Sequence, residues 1–412
     1  MLKRENLTFI GIALSIVGVP LGMYCNYLFP IVKWSPIFML FSVLFIASYV
    51  NLFSARLPLF NKWFATILFF QFLMLLYGVF YENTTDQYFS FHLYIMSLIV
   101  ALASNGNTLT YNKIIGFIFC LSSICTVLGA LFIWQGLVTG DDYWKMRKEL
   151  DDYALEAFTV ANGAIINFVS ILCLRIKKSF FKPLVWILFA LDIYTIFMSS
   201  KRTPVFVSLI IVCVYTYKSA GIKRVLVVRY LKIVSLVIIC GILAYYFIDP
   251  FQKLIDKFSL NFYNGVLNIL GFTDVRDSSG SAIERLKSRD WAFAYMENNF
   301  NFFNYLLGGG YFIRWLDNPL LQSYVDMGIL GILLYVYLVL VFPIKAFFKI
   351  KNIISLFALL LCVYNLMATY SSGHPYLYSK YVPIVFLAFV LNLKPRRRPN
   401  ENRNLRTTNT TL

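Results

Sequence analysis

The chain has 412 residues, 59% of them hydrophobic and 14% charged, with a mean hydropathy of +0.69. That excludes a soluble domain, which carries roughly 45–50% apolar residues, and the unbroken apolar runs exclude a membrane β-barrel, which alternates every second residue. The net charge of +17 does not point to nucleic acid, because the basic residues stand in short loops beside apolar runs, as a positive-inside bias requires.

Apolar runs lie near 8–29, 37–53, 63–81, 89–104, 114–136, 158–176, 183–199, 204–218, 232–249, 320–343, 352–370 and 377–393. They predict an all-α polytopic membrane protein of about 12 transmembrane helices. The opening MLKREN and its apolar run mimic a signal peptide, but the run is long and lacks a small-x-small cleavage site, so it reads as the first span. All seven cysteines fall inside apolar runs without CxxC spacing and read as small buried hydrophobes rather than disulfides or metal ligands.

The loops sort by charge. With the N-terminus inside, the inner loops carry Lys3, Arg4, Arg56, Lys62, Lys113, the Arg175–Lys182 cluster, the Lys218–Lys232 cluster, Lys345, Lys349 and Lys351. The outer loops carry ENTTDQ at 82–87, the acidic segment at 140–156 and the long segment 250–319. This predicts spans one to nine over 1–249, a large helical outer loop over 250–319, spans ten to twelve over 320–393, and a basic, disordered cytoplasmic tail over 394–412. Both termini are then cytoplasmic.

In the outer loops, FMSSKRTPVFV at 197–207 places Lys201 and Arg202 against the charge bias. They are either anchors that snorkel to headgroups or part of an anion site. Next, GSAIERLKSRDWAFAYMENNF at 280–300 predicts a surface helix. Ile283, Leu286, Trp291, Phe293 and Ala294 form its apolar side, and Ser281 with Glu284 is a candidate capping box. Arg285 and Arg289, four residues apart, share a face and either solvate it or grip a phosphate.

The segment 306–335 follows, with the Gly308–Gly310 triplet, Arg314, Asp317 and Asn318. Gly328 and Gly331 read as small residues for close helix packing, and Asp326 is an acid that needs a partner at membrane depth. Between the last two spans stands His374; His92, the other histidine, also maps to an outer helix end. A histidine there is an interfacial residue or a general base. Asp192, inside span seven, reads as structurally paired.

In this order the parts resemble the O-antigen polymerase and ligase superfamily of Wzy type, which includes capsular polysaccharide polymerases. SSKRTP at 199–204 is similar to its Ser-x-x-Arg-Thr/Gly turn. ERLKSRDW followed by LLGGG is similar to its arginine-rich outer helix ahead of Gly-x-Gly, and DNPLLQSYVDMGILG is similar to its turn into a Gly-Ile-Leu-Gly span. Ligases and many relatives in that superfamily carry His where this chain has Asp317.

The resemblance implies a GT-C-like fold in a bacterial cytoplasmic (inner) membrane. It implies polymerisation of undecaprenyl-pyrophosphate-linked oligosaccharide repeat units into O-antigen or capsule at the outer face. Its partners are that lipid-linked oligosaccharide, membrane lipid, a chain-length regulator and a flippase. Arg202, Arg285 and Arg289, supported by Lys201 and Arg314, would hold the pyrophosphate. His374 is the first candidate base and Asp317 the second. The chain contains no Asp-x-Asp, so arginines in place of a metal and no cofactor are expected. An O-antigen ligase of the same fold is the nearest alternative. A flippase is the alternative from another class, with broken spans, midplane charges and repeated halves as its marks.

Overall fold

The computed structural model describes residues 4–47, 62–81, 86–104, 111–139, 157–174, 179–199, 202–220, 281–350, 352–371 and 373–392, with short pieces between 245 and 263. Lys201, the acidic segment at 140–156, most of the ninth apolar run and the basic tail lie outside the described residues. No strand occurs among the described residues; the fold is all-helical.

The helices are α1 (Arg4–Leu28), α2 (Trp34–Ala47), α3 (Lys62–Phe80), α4 (Asp86–Ser104), α5 (Tyr111–Thr139), α6 (Ala157–Cys173), α7 (Lys182–Met198) and α8 (Arg202–Ala220). After the ninth run come α9 (Ser281–Asn299), α10 (Phe302–Leu307), α11 (Pro319–Val336), a π-helical turn at Tyr337–Val341, α12 (Phe342–Lys349), α13 (Ile353–Ser371) and α14 (Tyr378–Asn392). Every apolar run that falls mainly within the described residues coincides with a helix. Four helical stretches are long and apolar enough to cross a membrane: Asn6–Leu28, Lys62–Phe80, Lys113–Gln135 and Pro319–Lys349. These four are counted among the described residues, where the other helices offer shorter apolar stretches, such as Phe89–Ala103 and Thr203–Lys218.

α13 and α14 form the centre. From Tyr381 to Val390 nearly every α14 side chain is buried, as expected of a helix that is apolar all round. Around them α1 packs on α2, α5 and α6; α6 on α7, α8 and α13; and α4 on α2, α3 and α14. The α1–α2 pair is close because Gly22 lies against the Ser35 backbone, where a Cβ would come within 2.7 Å.

Side chains from loops assigned to one side gather at one end of the bundle. At the end assigned inside, Trp63 stacks on Phe342 with ring centroids 4.1 Å apart, Lys218 lies 3.9 Å from the Phe347 ring and Lys113 5.8 Å from the Phe9 ring. At the other end the Tyr77 hydroxyl donates to the Leu307 carbonyl, and Gly373 N–H donates to Asp317. That second end is called the outer end below.

The tenth run departs from the continuous span predicted for it. α11 starts under an Asn318 cap, whose side chain accepts from Leu321 N–H, with Pro319 in the first turn. It then breaks at Gly328, whose φ of 64° and ψ of −157° are not helical. The break is packed by the glycine triplet: Gly309 N–H donates to the Val325 carbonyl at 2.8 Å and Gly310 N–H to that of Asp326 at 3.3 Å. Those are carbonyls that a continuous helix would satisfy internally. Gly308, at φ 92°, lies so close to the Asp326 carbonyl that no Cβ fits, and a Cβ on Gly328 would meet the Leu306 backbone at 2.5 Å. From Gly328 to Lys349 the helical path is about 33 Å long at 1.5 Å per residue, enough for a ~30 Å hydrocarbon core. The turns before the break extend beyond it, toward the outer end.

α9 is the surface helix that the sequence predicted, but its buried side differs. Ala292 and Met296 are buried against Leu316 and Val325, with Trp291, Tyr295, Phe300 and Ile313 packed around them. Phe293 and Ala294, predicted on the apolar side, are exposed, Phe293 by 55%. The small Ala292 lets the helix approach Leu316, in the loop before α11, which Phe293 in that position would prevent.

Candidate functional site at the outer end

The loop 308–318 turns sharply between α10 and α11. Phe312 and Asp317 both adopt a φ of 51°, a left-handed conformation that Asp tolerates better than Phe does. The turn aims two sets of side chains into the bundle.

The first set surrounds Asp326, which is fully buried at the break in α11. Its Oδ2 accepts from Gln322 Nε2 at 2.7 Å and from the Tyr376 hydroxyl. Gln322 Oε1 in turn accepts from Leu316 N–H at 3.0 Å. The partner that the sequence required for Asp326 is therefore Gln322 from its own helix and Tyr376 from the loop before α14. The Tyr376 ring lies 4.5 Å from the Tyr311 ring, and the Tyr311 hydroxyl is 2.8 Å from His92 Nε2. His92 Nδ1 is 2.7 Å from Gln71 Oε1. A carbonyl oxygen only accepts, so this pattern assigns the Nδ1–H tautomer, with Nε2 accepting from Tyr311. Burial and the Asp326 carboxylate hold the Tyr376 phenol well above its ordinary pKa, so it stays a donor.

The second set contains the two candidate bases. The Asp317 carboxylate accepts from Gly373 N–H at 2.7 Å, which places Asp317 beside the residue preceding His374. His374 itself is fully buried. Trp315 and Phe312 pack on its ring at centroid distances of 4.8 and 5.1 Å, and Tyr376 at 5.6 Å. Burial first, then the Lys380 ammonium and His92, push its pKa down to about 3. His374 is thus neutral and covered by two rings of the loop, whereas Asp317 is only partly buried.

The structure brings Arg314 to this place: its guanidinium lies 4.9 Å from the Trp291 ring of α9. Arg289, two residues before Trp291, is exposed and 3.4 Å from Asp290, a surface pair of little energetic weight. Arg285 lies one turn earlier on the same face of α9. Arg202 is the first residue of α8, a neighbour of α6 and α13; the chain leaves α13 toward His374.

Lys380 is the residue that the sequence reading missed. It is buried in the first turn of α14, with its Cε 3.9 Å from where a Cβ on Gly373 would stand. Its signal was a lone lysine inside an apolar run, which reads equally well as an interfacial anchor. Asp192 is paired as predicted: it accepts from Thr126 Oγ1 at 2.7 Å and from Asn167 Nδ2 at 3.1 Å, joining α5, α6 and α7. A scan of the chain against models of protein families finds no match, and a search among curated proteins finds none either.

Proposed function

We propose that the chain is a membrane glycosyltransferase of the Wzy type, a polymerase of undecaprenyl-pyrophosphate-linked repeat units with a GT-C-like architecture. In this reading it has about twelve spans, sits in a bacterial inner membrane with both termini in the cytoplasm, and works at the outer face. The observation that carries the reading is the meeting of Asp317 with the His374 loop, on a turn whose Arg314 lies against Trp291 of the arginine-bearing α9. A partly exposed carboxylate and guanidinium groups are the two parts that metal-free glycosyl transfer from a lipid diphosphate needs.

The accessibility of the two candidates reverses their order: Asp317 is the base, and His374 supports the loop that carries it. A hydroxyl of the acceptor sugar attacks the anomeric carbon of the donor. The new C–O bond forms as the bond to the diphosphate breaks, the electron pair leaves with the diphosphate oxygen, and the hydroxyl proton passes to Asp317. Arg285, Arg289 and Arg314, with Arg202 at the start of α8 and Lys201 before it in sequence, neutralise the charge gathering on the diphosphate. Arginine-to-alanine changes at 202 and 285 should abolish long polymer while the protein still inserts. Unchanged chain length in both variants would remove the diphosphate assignment.

A second reading is favoured by one feature. A span broken beside a buried acid, as α11 is at Gly328 and Asp326, also marks transporters. Loss of a flippase leaves single repeats on the inner face, whereas loss of a polymerase leaves them on the outer face.

A further inference from the structure

A cavity of about 60 Å³ lies between α1, α6, α13 and α14. Its polar lining consists of Ser15, Asn162, Tyr364, Tyr378, Ser379 and Lys380, among aliphatic and aromatic walls. Its partly exposed members are Val19, Phe158, Asn162, Leu377, Ser379 and Pro383, of which Phe158, Leu377 and Ser379 stand at the outer ends of α6 and α14. The mouth therefore faces the outer end, and Lys380 and Tyr364 form the buried part.

The lining is rich in donors: Lys380 brings an ammonium group, Asn162 an amide N–H₂ beside its carbonyl oxygen, and Tyr364, Tyr378 and Ser379 a hydroxyl each. Ser15 already spends its proton on the Ile12 carbonyl at 2.7 Å. No carboxylate lines the cavity. The Tyr364 hydroxyl is buried and has no hydrogen-bond partner among the described residues, which in a packed interior is costly unless a ligand or water supplies one. A single water needs only about 10–15 Å³ on the same measure, so the space admits a polyatomic ion. The Asp317 carboxylate attracts the Lys380 ammonium, and the His374 ring also faces it.

We propose that this cavity binds an oxyanion of phosphate size, held by Lys380 and Tyr364 with Asn162 at the mouth. The ligand is either the phosphate headgroup of a lipid in the outer leaflet or a free phosphate. The site does not depend on the polymerase reading, because binding requires no turnover.

Two arms test it on the purified full-length protein. Calorimetric titration with inorganic phosphate in detergent reads the free ion. Native mass spectrometry of protein released from nanodiscs containing phosphatidic acid or only phosphatidylcholine reads the headgroup. Binding in either arm that is lost in Lys380→Met supports the site, and the arm that responds names the source. Tyr364→Phe keeps the ring and removes only the hydroxyl, and should weaken binding about tenfold, so the test survives if Lys380→Met fails to fold. No binding in either arm overturns the proposal, as does binding that Tyr364→Phe leaves unchanged.

Discussion

At the scale of single residues, burial distinguishes the two candidate bases: His374 is fully buried and Asp317 only partly. Asp317 and His374 belong to one turn-to-turn contact, but only the carboxylate is reachable. Asp317→Asn keeps the bond from Gly373 and removes the base; polymer formation should fall by about 10²–10⁴-fold, measured as initial rate with lipid-linked repeats. His374 has a different readout. Its pKa is about 3 in the folded chain against 6.5 ordinarily. Between these values the unfolded chain binds the extra proton, so stability rises with pH across that window and is lost as pH falls from 6.5 toward 3. His374→Gln should flatten the Tm-against-pH curve there; an unchanged slope would mean that the ring is not the group responsible. The sequence showed both residues but not their cover, because Phe312 and Trp315 reach His374 across some sixty residues of chain and no local pattern encodes that. Lys380 was illegible for the same reason: its neighbour Asp317 comes from a distant loop.

At the scale of elements, the break in α11 is held by backbone contacts that only glycine permits. Gly308→Ala places a Cβ on the Asp326 carbonyl at a φ of 92°, and should cost at least about 2–3 kcal/mol. Gly116→Ala on α5, where no atom lies within 4 Å of the new methyl, should change stability by no more than about 1 kcal/mol, in the stabilising direction. Thermal unfolding of both variants in one detergent checks the contrast; equal Tm values would mean that the triplet does not pin the break. The helix itself was readable from its Asn-Pro start and apolar run. The break was not, because Gly328 and Gly331 in such a run equally suit tight helix packing. α9 shows the same limit. Its existence followed from the pattern, but its buried side was set by what it docks on, so Ala292 turned inward and Phe293 outward. Ala292→Trp should lift α9 from Leu316 and Val325 and increase proteolysis between 281 and 300; unchanged cleavage would place the helix's hold elsewhere.

At the scale of the whole molecule, apolar periodicity and loop charge carried the most information. Each sorts segments without reference to distant contacts. The arrangement at the outer end depends on contacts between segments 56 to 230 residues apart, which explains why its parts were visible and their arrangement was not. The account's central claim is that this end joins lipid-linked repeats with Asp317 as base. Its most direct test is the purified protein in liposomes supplied with undecaprenyl-pyrophosphate-linked repeat units, with products resolved by length. The account predicts a ladder from the wild type and unconsumed single repeats from Asp317→Asn. An undiminished ladder from that variant, or a wild type that only moves repeats across the bilayer, would contradict it.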